Sequence, residues 1–497
     1  MGAAAILAFA GLLCYGGPAL LDLGFYHDDW YSLSFIHFAP DDLGLRMRAL
    51  AQGDPSQLFR PFDVVLWPAL YTLFGLDPVP WQIFLLCVNV GIGLAATLLL
   101  RKFRVSPGLA LLGGLLILAY PSKDADLFWP LNVINPLSLL FYLISHLAFL
   151  GWVESGSKRG LATSAAFLLL SLTTYDQTVF LPLCWLVTPT LWEAGFSPRA
   201  KRGVLVGVAV VAVFLIYKLF FVPHFFDIPF RKALVFSPWH FLKVYLAGIN
   251  ANFGPKLAVS TLGSVWSALT AAPVVCILGW AVPWVCLRKP WEREGRPADA
   301  LVFLGAAAFF LGYLPIAFSD YLPTPLNHQN RINLAPALGI VLAAVGCVAG
   351  KTPSGRAPWV LAAAAGLFIS ASAGSALAWA ESYRRQCGVV ELVQKNLDRW
   401  PEDKLLLVRL PERYVRGKAP VFDATWDVTG AIRLATGNTR LRAAVISPRM
   451  RFEPSRIVET GRLDLAYEEA LFLDVERGTV EAADHRRLAT CASQAAR

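Results

Sequence analysis

The chain has 497 residues, of which 56% are hydrophobic, 16% charged and 12% aromatic, with a mean hydropathy of +0.52. Soluble domains carry about 25% charged residues, so a chain of this composition cannot cover itself with polar groups in water and reads as an integral membrane protein. The net charge of +9 does not mark a nucleic-acid binder, because Lys and Arg stand in short clusters between apolar runs, where they set orientation.

In chain order, apolar runs of about 20 residues recur over the first three quarters of the sequence. They predict spans near 2–24, 81–100, 107–121, 131–151, 161–174, 178–194, 203–222, 262–286, 300–318, 335–350 and 358–380, about eleven crossings of an all-α polytopic fold. The first run reads as an uncleaved anchor: it exceeds a signal-peptide core, lacks a basic leader and continues straight into Asp28-Asp29. The segments 161–174 and 178–194, joined by Tyr175-Asp176-Gln177, could equally form a re-entrant hairpin. Basic clusters at Arg101-Lys102-Phe103-Arg104, Lys158-Arg159, Arg199-Ala200-Lys201-Arg202, Arg288-Lys289 with Arg293 and Arg296, and Lys351 with Arg356 fall in alternate loops. This places those loops and the N-terminus in the cytoplasm. Loops 26–80, 121–130, 223–261 and 319–334 then face outward. Within the first of these, the run 62–76 begins at Asp63 and is too short to span, so it is predicted to lie in the interface as a helix.

After Trp379 charged residues become frequent. A helix-like stretch at 389–399, strands at 405–410 and 441–446, and a hairpin around Glu476-Arg477-Gly478 predict a small soluble α/β domain over 384–497, following a transmembrane domain over 1–380. By the count of crossings this tail is extracytoplasmic. Of eight cysteines, Cys14, Cys87, Cys184, Cys276, Cys286 and Cys347 lie in or beside spans and behave as small hydrophobes, while Cys387 and Cys491 could pair in an oxidising compartment. Gly91-Ile92-Gly93 reads as small-residue helix packing. The phosphate-loop-like Gly346 to Thr352 is one residue short and follows a span rather than a strand. No cysteine or histidine spacing indicates a metal site.

Chemistry concentrates in the outward loops. His27-Asp28-Asp29-Trp30 opens the first of them; paired carboxylates at an interface suit a general base or a cation site, and equally an Asp can cap the following helix. The same loop carries Arg60-Pro61. Asp124 and Asp126 occupy the second outward loop, and Asp176 the turn between two short segments. In the last, Asn327-His328-Gln329-Asn330-Arg331 puts a guanidinium at the mouth of a span, where its planar fork matches phosphate, or alternatively pairs with a headgroup or with Asp320.

As an ordered set, these signals resemble the polytopic C-type superfamily of glycosyltransferases, including the protein mannosyltransferases and their bacterial relatives. The matching pieces are His27-Asp28-Asp29-Trp30, Arg60-Pro61, the span from Trp81 through Asn89, Tyr120-Pro121 leading to Asp124 and Asp126, Tyr175-Asp176, and Asn330-Arg331-Ile332-Asn333. The late motif departs from the Glu-Arg-Tyr form of some relatives by having Asn330 and Ile332 around Arg331. The resemblance covers about residues 1–380. It implies transfer of a sugar from a polyprenyl-phosphate donor to a glycan, lipid or protein acceptor on the outer face of a bacterial inner membrane. Asp28 or Asp29 would be the base, and Arg331, with Arg60, would hold the phosphate. His27, Asp124, Asp126, Asp176 and His328 would complete the substrate site. The implied reaction requires no cofactor, with a divalent cation at Asp28 and Asp29 as the alternative use of those acids. The absence of any Asn-x-Ser/Thr sequon points the same way, to a bacterial protein. Two rival readings are a transporter or flippase of lipid-linked glycans, which calls for mid-membrane charges and inverted repeats, and a non-catalytic accessory protein of the same fold.

Overall fold

The computed structural model describes residues 2–192, 197–228, 234–287, 298–350, 356–447, 450–459, 463–485 and 488. These form two compact units. One comprises Met1–Leu21, Pro55–Trp67 and Val79–Leu377; the other comprises Asp22–Asp54, Pro68–Pro78 and Ala378–Arg497.

The first unit is a bundle of apolar helices. Among the described residues, six helices are long and apolar enough to cross a membrane: Pro78–Lys102, Leu131–Ser155, Pro198–Phe226, Asp299–Ala317, His328–Ala349 and Ala357–Lys395. The helices Pro238–Ala271 and Pro273–Cys286, bent by 119° at Ala272-Pro273, add a seventh if counted as one broken span. The expected count of about eleven is therefore not confirmed, and the causes are local. The run 2–24 is α-helical only over Ala3–Cys14, because Gly16 and Gly17 take φ of +70° and +62° and break the α-helix before Pro18, and the chain continues as a 3-10 helix over Gly17–Asp22. The run 107–121 holds a helix of only 12 residues, Pro107–Leu118. The stretch 223–261, expected as a loop, contains the helix Pro238–Phe253, started by Ser237, whose side chain accepts from the His240 amide.

Glycines permit close helix contacts in this unit. A Cβ on Gly114 would stand 2.6 Å from the Gly93 carbonyl oxygen, and one on Gly339 would stand 2.5 Å from that of Gly305. Such small-residue seams let backbones approach where lipid supplies no hydrophobic drive between helices. At one end of the unit three of the basic loops meet. Lys102 pairs with Glu154 at 2.6 Å, Arg199 donates to the Glu154 carbonyl at 3.4 Å, and the Trp152 indole donates to the Arg199 carbonyl at 3.1 Å. The clusters at 288–296 and Lys351 lie outside the described residues.

The second unit carries the α/β tail that the sequence predicts. Strands Arg442–Val445, Leu405–Arg409 and Ala470–Asp474 run parallel in that spatial order, and Thr479–Ala482 closes the sheet antiparallel through a turn at Gly478. Leu405–Arg409 is apolar on both faces because both are covered. Leu406 and Val408 enter one core with Val389, Val393, Val428 and Ile432, whereas Leu405 and Leu407 enter the other with Ile457, Leu465 and Phe472. An antiparallel sheet of Met450–Phe452, Arg456–Glu459 and Leu463–Ala466 supplies the second core. No linker separates the tail: the helix Ala357–Lys395 continues through 380–384, and the helix-like stretch at 389–399 is its last turns followed by the short Leu397–Arg399. The loop segment after the first helix also belongs here. The helix Thr425–Thr436 crosses Asp28–His37 so closely that a Cβ on Gly430 would meet the Trp30 carbonyl oxygen at 2.4 Å. Cys491, and with it the pairing considered for Cys387, lies outside the described residues.

Candidate active site

The residues singled out in the sequence divide between the units, with His27, Asp28 and Asp29 in the tail unit and Arg60, Asp124, Asp126, Asp176, His328 and Arg331 in the helical one.

In the tail unit His27 precedes the helix Asp28–His37 with a φ of +49°. The two acids that follow it have separate fates. Asp29 is fully buried, and its Oδ2 accepts from the Tyr26 amide at 2.9 Å, fixing the entry into the helix in the manner of a cap. Asp28 keeps 43% of its side chain exposed, and its Oδ1 takes the Trp426 indole N–H at 2.7 Å and lies 2.7 Å from His27 Nδ1. Two more acids that the sequence reading missed join this group. Asp423 lies 4.0 Å from His27 Nε2 and pairs with Arg413, and Asp427 accepts from the Asp423 amide at 2.7 Å. They are distant in sequence, on the entry to the helix Thr425–Thr436, and no motif ties them to His27. Burial disfavours the imidazolium, but Asp28, Asp427 and Asp423 outweigh it and raise the His27 pKa to about 9. Burial lifts the Asp427 carboxyl to about 7, with His27 opposing the rise.

In the helical unit a buried amide network holds the acids of the second outward loop against the late motif. Asn330 donates to Asp124 and accepts from the Ala125 amide at 3.1 Å. Asn132 and Asn135 each donate to Asp126 Oδ1 at 2.8 Å, and Asn135 also reaches the Arg331 carbonyl at 2.7 Å. Asn333 accepts from the Tyr313 hydroxyl and donates to the carbonyls of Ser122 and Thr324, all at 2.8 Å. Gln177 donates to the Ile332 carbonyl at 2.5 Å. Thus Asn330, just before Arg331, together with Asn135 and Gln177, clamps the backbone of the late motif. Lys123, 1% exposed, donates to the Leu118 carbonyl at 3.2 Å. Burial depresses the Lys123 ammonium and elevates the Asp126 carboxyl, each opposing the other's shift.

The Arg331 guanidinium itself makes no ion pair among the described residues, with Asp320 or any other acid. Its Cζ lies 4.9 Å from the centroid of the Trp129 ring, its Nε is buried without a hydrogen-bond partner, and it is within electrostatic reach of Asp126. His328 packs edge-on to the same indole at 6.2 Å. Arg60 and Asp176 stand in a second cluster. Arg60 Cζ lies 4.4 Å over the Tyr175 ring, and Asp176 pairs with Lys218, a cation inside the apolar helix Pro198–Phe226. Lys218 is buried where the helix loosens into a π turn over Tyr217–Phe221.

These features define a polytopic helical membrane protein with a mixed-sheet tail, presenting a fork-shaped cation that makes no ion pair among the described residues, beside clamped acids. Two solved structures of ArnT from Cupriavidus metallidurans, one bound to undecaprenyl phosphate and one in the apo state, are similar to this chain in overall course. Each has a TM-score of 0.46 and 14% sequence identity, over 86% of this chain and 84% of theirs. No family model matches the sequence, and no curated protein matches it significantly.

Proposed function

We propose that this chain is a membrane glycosyltransferase that moves a sugar from a polyprenyl-phosphate donor to an extracytoplasmic acceptor in a bacterial inner membrane. The observation that carries the reading is the Arg331 guanidinium, positioned through its own backbone by Asn135 and Asn330, stacked on Trp129 and lacking a carboxylate partner among the described residues. A guanidinium in partly dry surroundings needs an anion, and a phosphate oxygen pair fits its fork.

In the proposed reaction an acceptor hydroxyl attacks the anomeric carbon, its proton passes to Asp28, and the bond from that carbon to the phosphate oxygen breaks with inversion. Asp28 is the base because it is the exposed member of the pair, whereas Asp29 is occupied in the helix entry. The leaving phosphate passes from a diester of charge about −1 to a monoester approaching −2, so Arg331 binds the transition state more tightly than the donor. A phosphate leaving group needs no protonation by a second acid, unlike the alcohol leaving group of a soluble glycosidase.

The test is genetic and chemical together. Mass spectrometry of the cell envelope should show one glycan modification lost when the gene is deleted, restored by the wild-type chain, and not restored by Asp28→Asn or Arg331→Ala chains present at normal level. Restoration by both variants would remove the reading.

A further inference from the structure

Resting on the activity proposed above, we infer that Asp63, together with Arg60, Tyr175 and Asp176, forms a pocket that takes the hydroxyl groups of an uncharged carbohydrate and so selects the donor's sugar. The cluster lies within the helical unit. Asp63 stands in the first turn of the helix Pro61–Phe74 with no exposed surface, and neither of its carboxyl oxygens has a hydrogen-bond partner among the described residues. A buried carboxyl without a partner is costly, on the order of a lost hydrogen bond or more per oxygen, and calls for an O–H or N–H donor from outside the chain. Arg60, three residues earlier, lies within electrostatic reach of Asp63, Asp176 and Tyr321 and covers one face of the Tyr175 ring.

Three separate segments converge to make this place. The Tyr217 hydroxyl donates to the Leu58 carbonyl at 2.8 Å, locking the π turn to the segment that bears Arg60 and Asp63. The same π turn brings Lys218 onto Asp176 while its neighbours Leu219, Phe220 and Phe221 stay 40%, 68% and 41% exposed. A π turn in a helix that otherwise faces outward is a device for aiming one side chain, and such turns collect at functional sites. Lys218 saturates Asp176 in part and leaves 36% of that side chain exposed, so the cluster opens at Asp176 and closes at Asp63.

The chemistry favours a polyol over an ion. Two acids and two cations roughly balance, so the cluster offers an arriving anion no net positive charge. Vicinal hydroxyls both donate to and accept from a carboxyl group and accept from a guanidinium, using both halves of the Arg60–Asp63 pair. The cluster also joins the phosphate site proposed for Arg331: Gln177, the residue after Asp176, holds the Ile332 carbonyl at 2.5 Å.

The test titrates the full chain in nanodiscs with undecaprenyl phosphate and with undecaprenyl-phosphate-linked arabinose, mannose and glucose. The wild-type chain should bind at least one sugar lipid about tenfold or more tighter than the bare lipid phosphate, the scale of one or two hydrogen bonds to a charged group. Asp63→Asn should erase most of that preference and leave affinity for the bare lipid within about twofold, which also shows the variant to be folded. Arg331→Ala should weaken binding of bare and sugar-bearing lipids alike. An unchanged sugar preference in Asp63→Asn, or no preference in the wild-type chain across the three sugars, overturns the pocket and leaves the phosphate site standing. Failure of the wild-type chain to bind any of the four lipids overturns the proposed function and the pocket with it.

Discussion

Replacing His27 with Gln should remove a stabilising charge from the tail unit, and the structure sets its size and its pH window. The imidazole is raised from an ordinary 6.5 to about 9 by Asp28, Asp427 and Asp423. At about 1.4 kcal/mol for each tenfold change in proton affinity, the folded unit gains about 3 kcal/mol from the protonated ring. Because the folded value lies above the unfolded one, this stability is complete below pH 6.5 and is lost as pH rises through about 9. Asp427 acts in a lower window: its carboxyl moves from 3.8 to about 7, so its destabilising contribution builds over that range and is complete above it. The interval between pH 7 and about 9.5 therefore belongs to His27. Hydrogen exchange of the strand Leu405–Arg409, at the centre of the sheet, reports opening of this unit by itself. Corrected for intrinsic rates, its opening free energy should fall by about 2.5 kcal/mol across that interval in the wild-type chain and by less in His27→Gln, where only the titration of Asp427 remains. The variant should also titrate Asp427 at higher pH, having lost the cation that opposes its rise. A wild-type profile with no slope, or the same slope in both proteins, would refute the assignment of His27 as the cation of this cluster.

Further outcomes follow from packing and from the amide network. Gly430→Ala should lower the tail's opening free energy by about 1–3 kcal/mol, since the new methyl meets the Trp30 backbone rather than a movable side chain; hydrogen exchange in Asp28–His37 is the readout. Asn333→Ala breaks three hydrogen bonds of 2.8 Å and leaves two carbonyls and the Tyr313 hydroxyl without that partner. It should cost about 2–4 kcal/mol in the helical unit, measured as a lowered melting temperature in detergent.

Much of this molecule is legible in the sequence because its signals are local. Apolar length gives the helices of the bundle. The unbroken Leu405-Leu406-Leu407-Val408 gives a central strand, and Glu476-Arg477-Gly478 gives the hairpin, with Gly478 at a φ of +67°. Where the reading of spans fails, the cause is a competing local device: paired glycines ahead of Pro18, and Pro273 bending one apolar stretch into two helices. The site is less legible because its contacts are long-range. Asn330 to Asp124 and His27 to Asp427 join residues hundreds of positions apart, and nothing in a single sequence records such proximity. Asp63 was visible as the acid opening an apolar run, yet only burial with both oxygens unpartnered distinguishes it from an interfacial charge. Lys218 illustrates the same limit, since a π turn departs from the helical period by which a sequence assigns faces.

The most direct measurement incubates the purified full chain with a polyprenyl-phosphate-linked sugar that it turns over and follows release of the bare lipid phosphate by mass spectrometry. Arg331→Ala and Asp28→Asn, each folded by hydrogen exchange, should release lipid phosphate about 10²- to 10³-fold more slowly than the wild-type chain. Release at the wild-type rate from either variant would contradict the role given to that residue, and from both would leave the proposed chemistry without its phosphate ligand and its base.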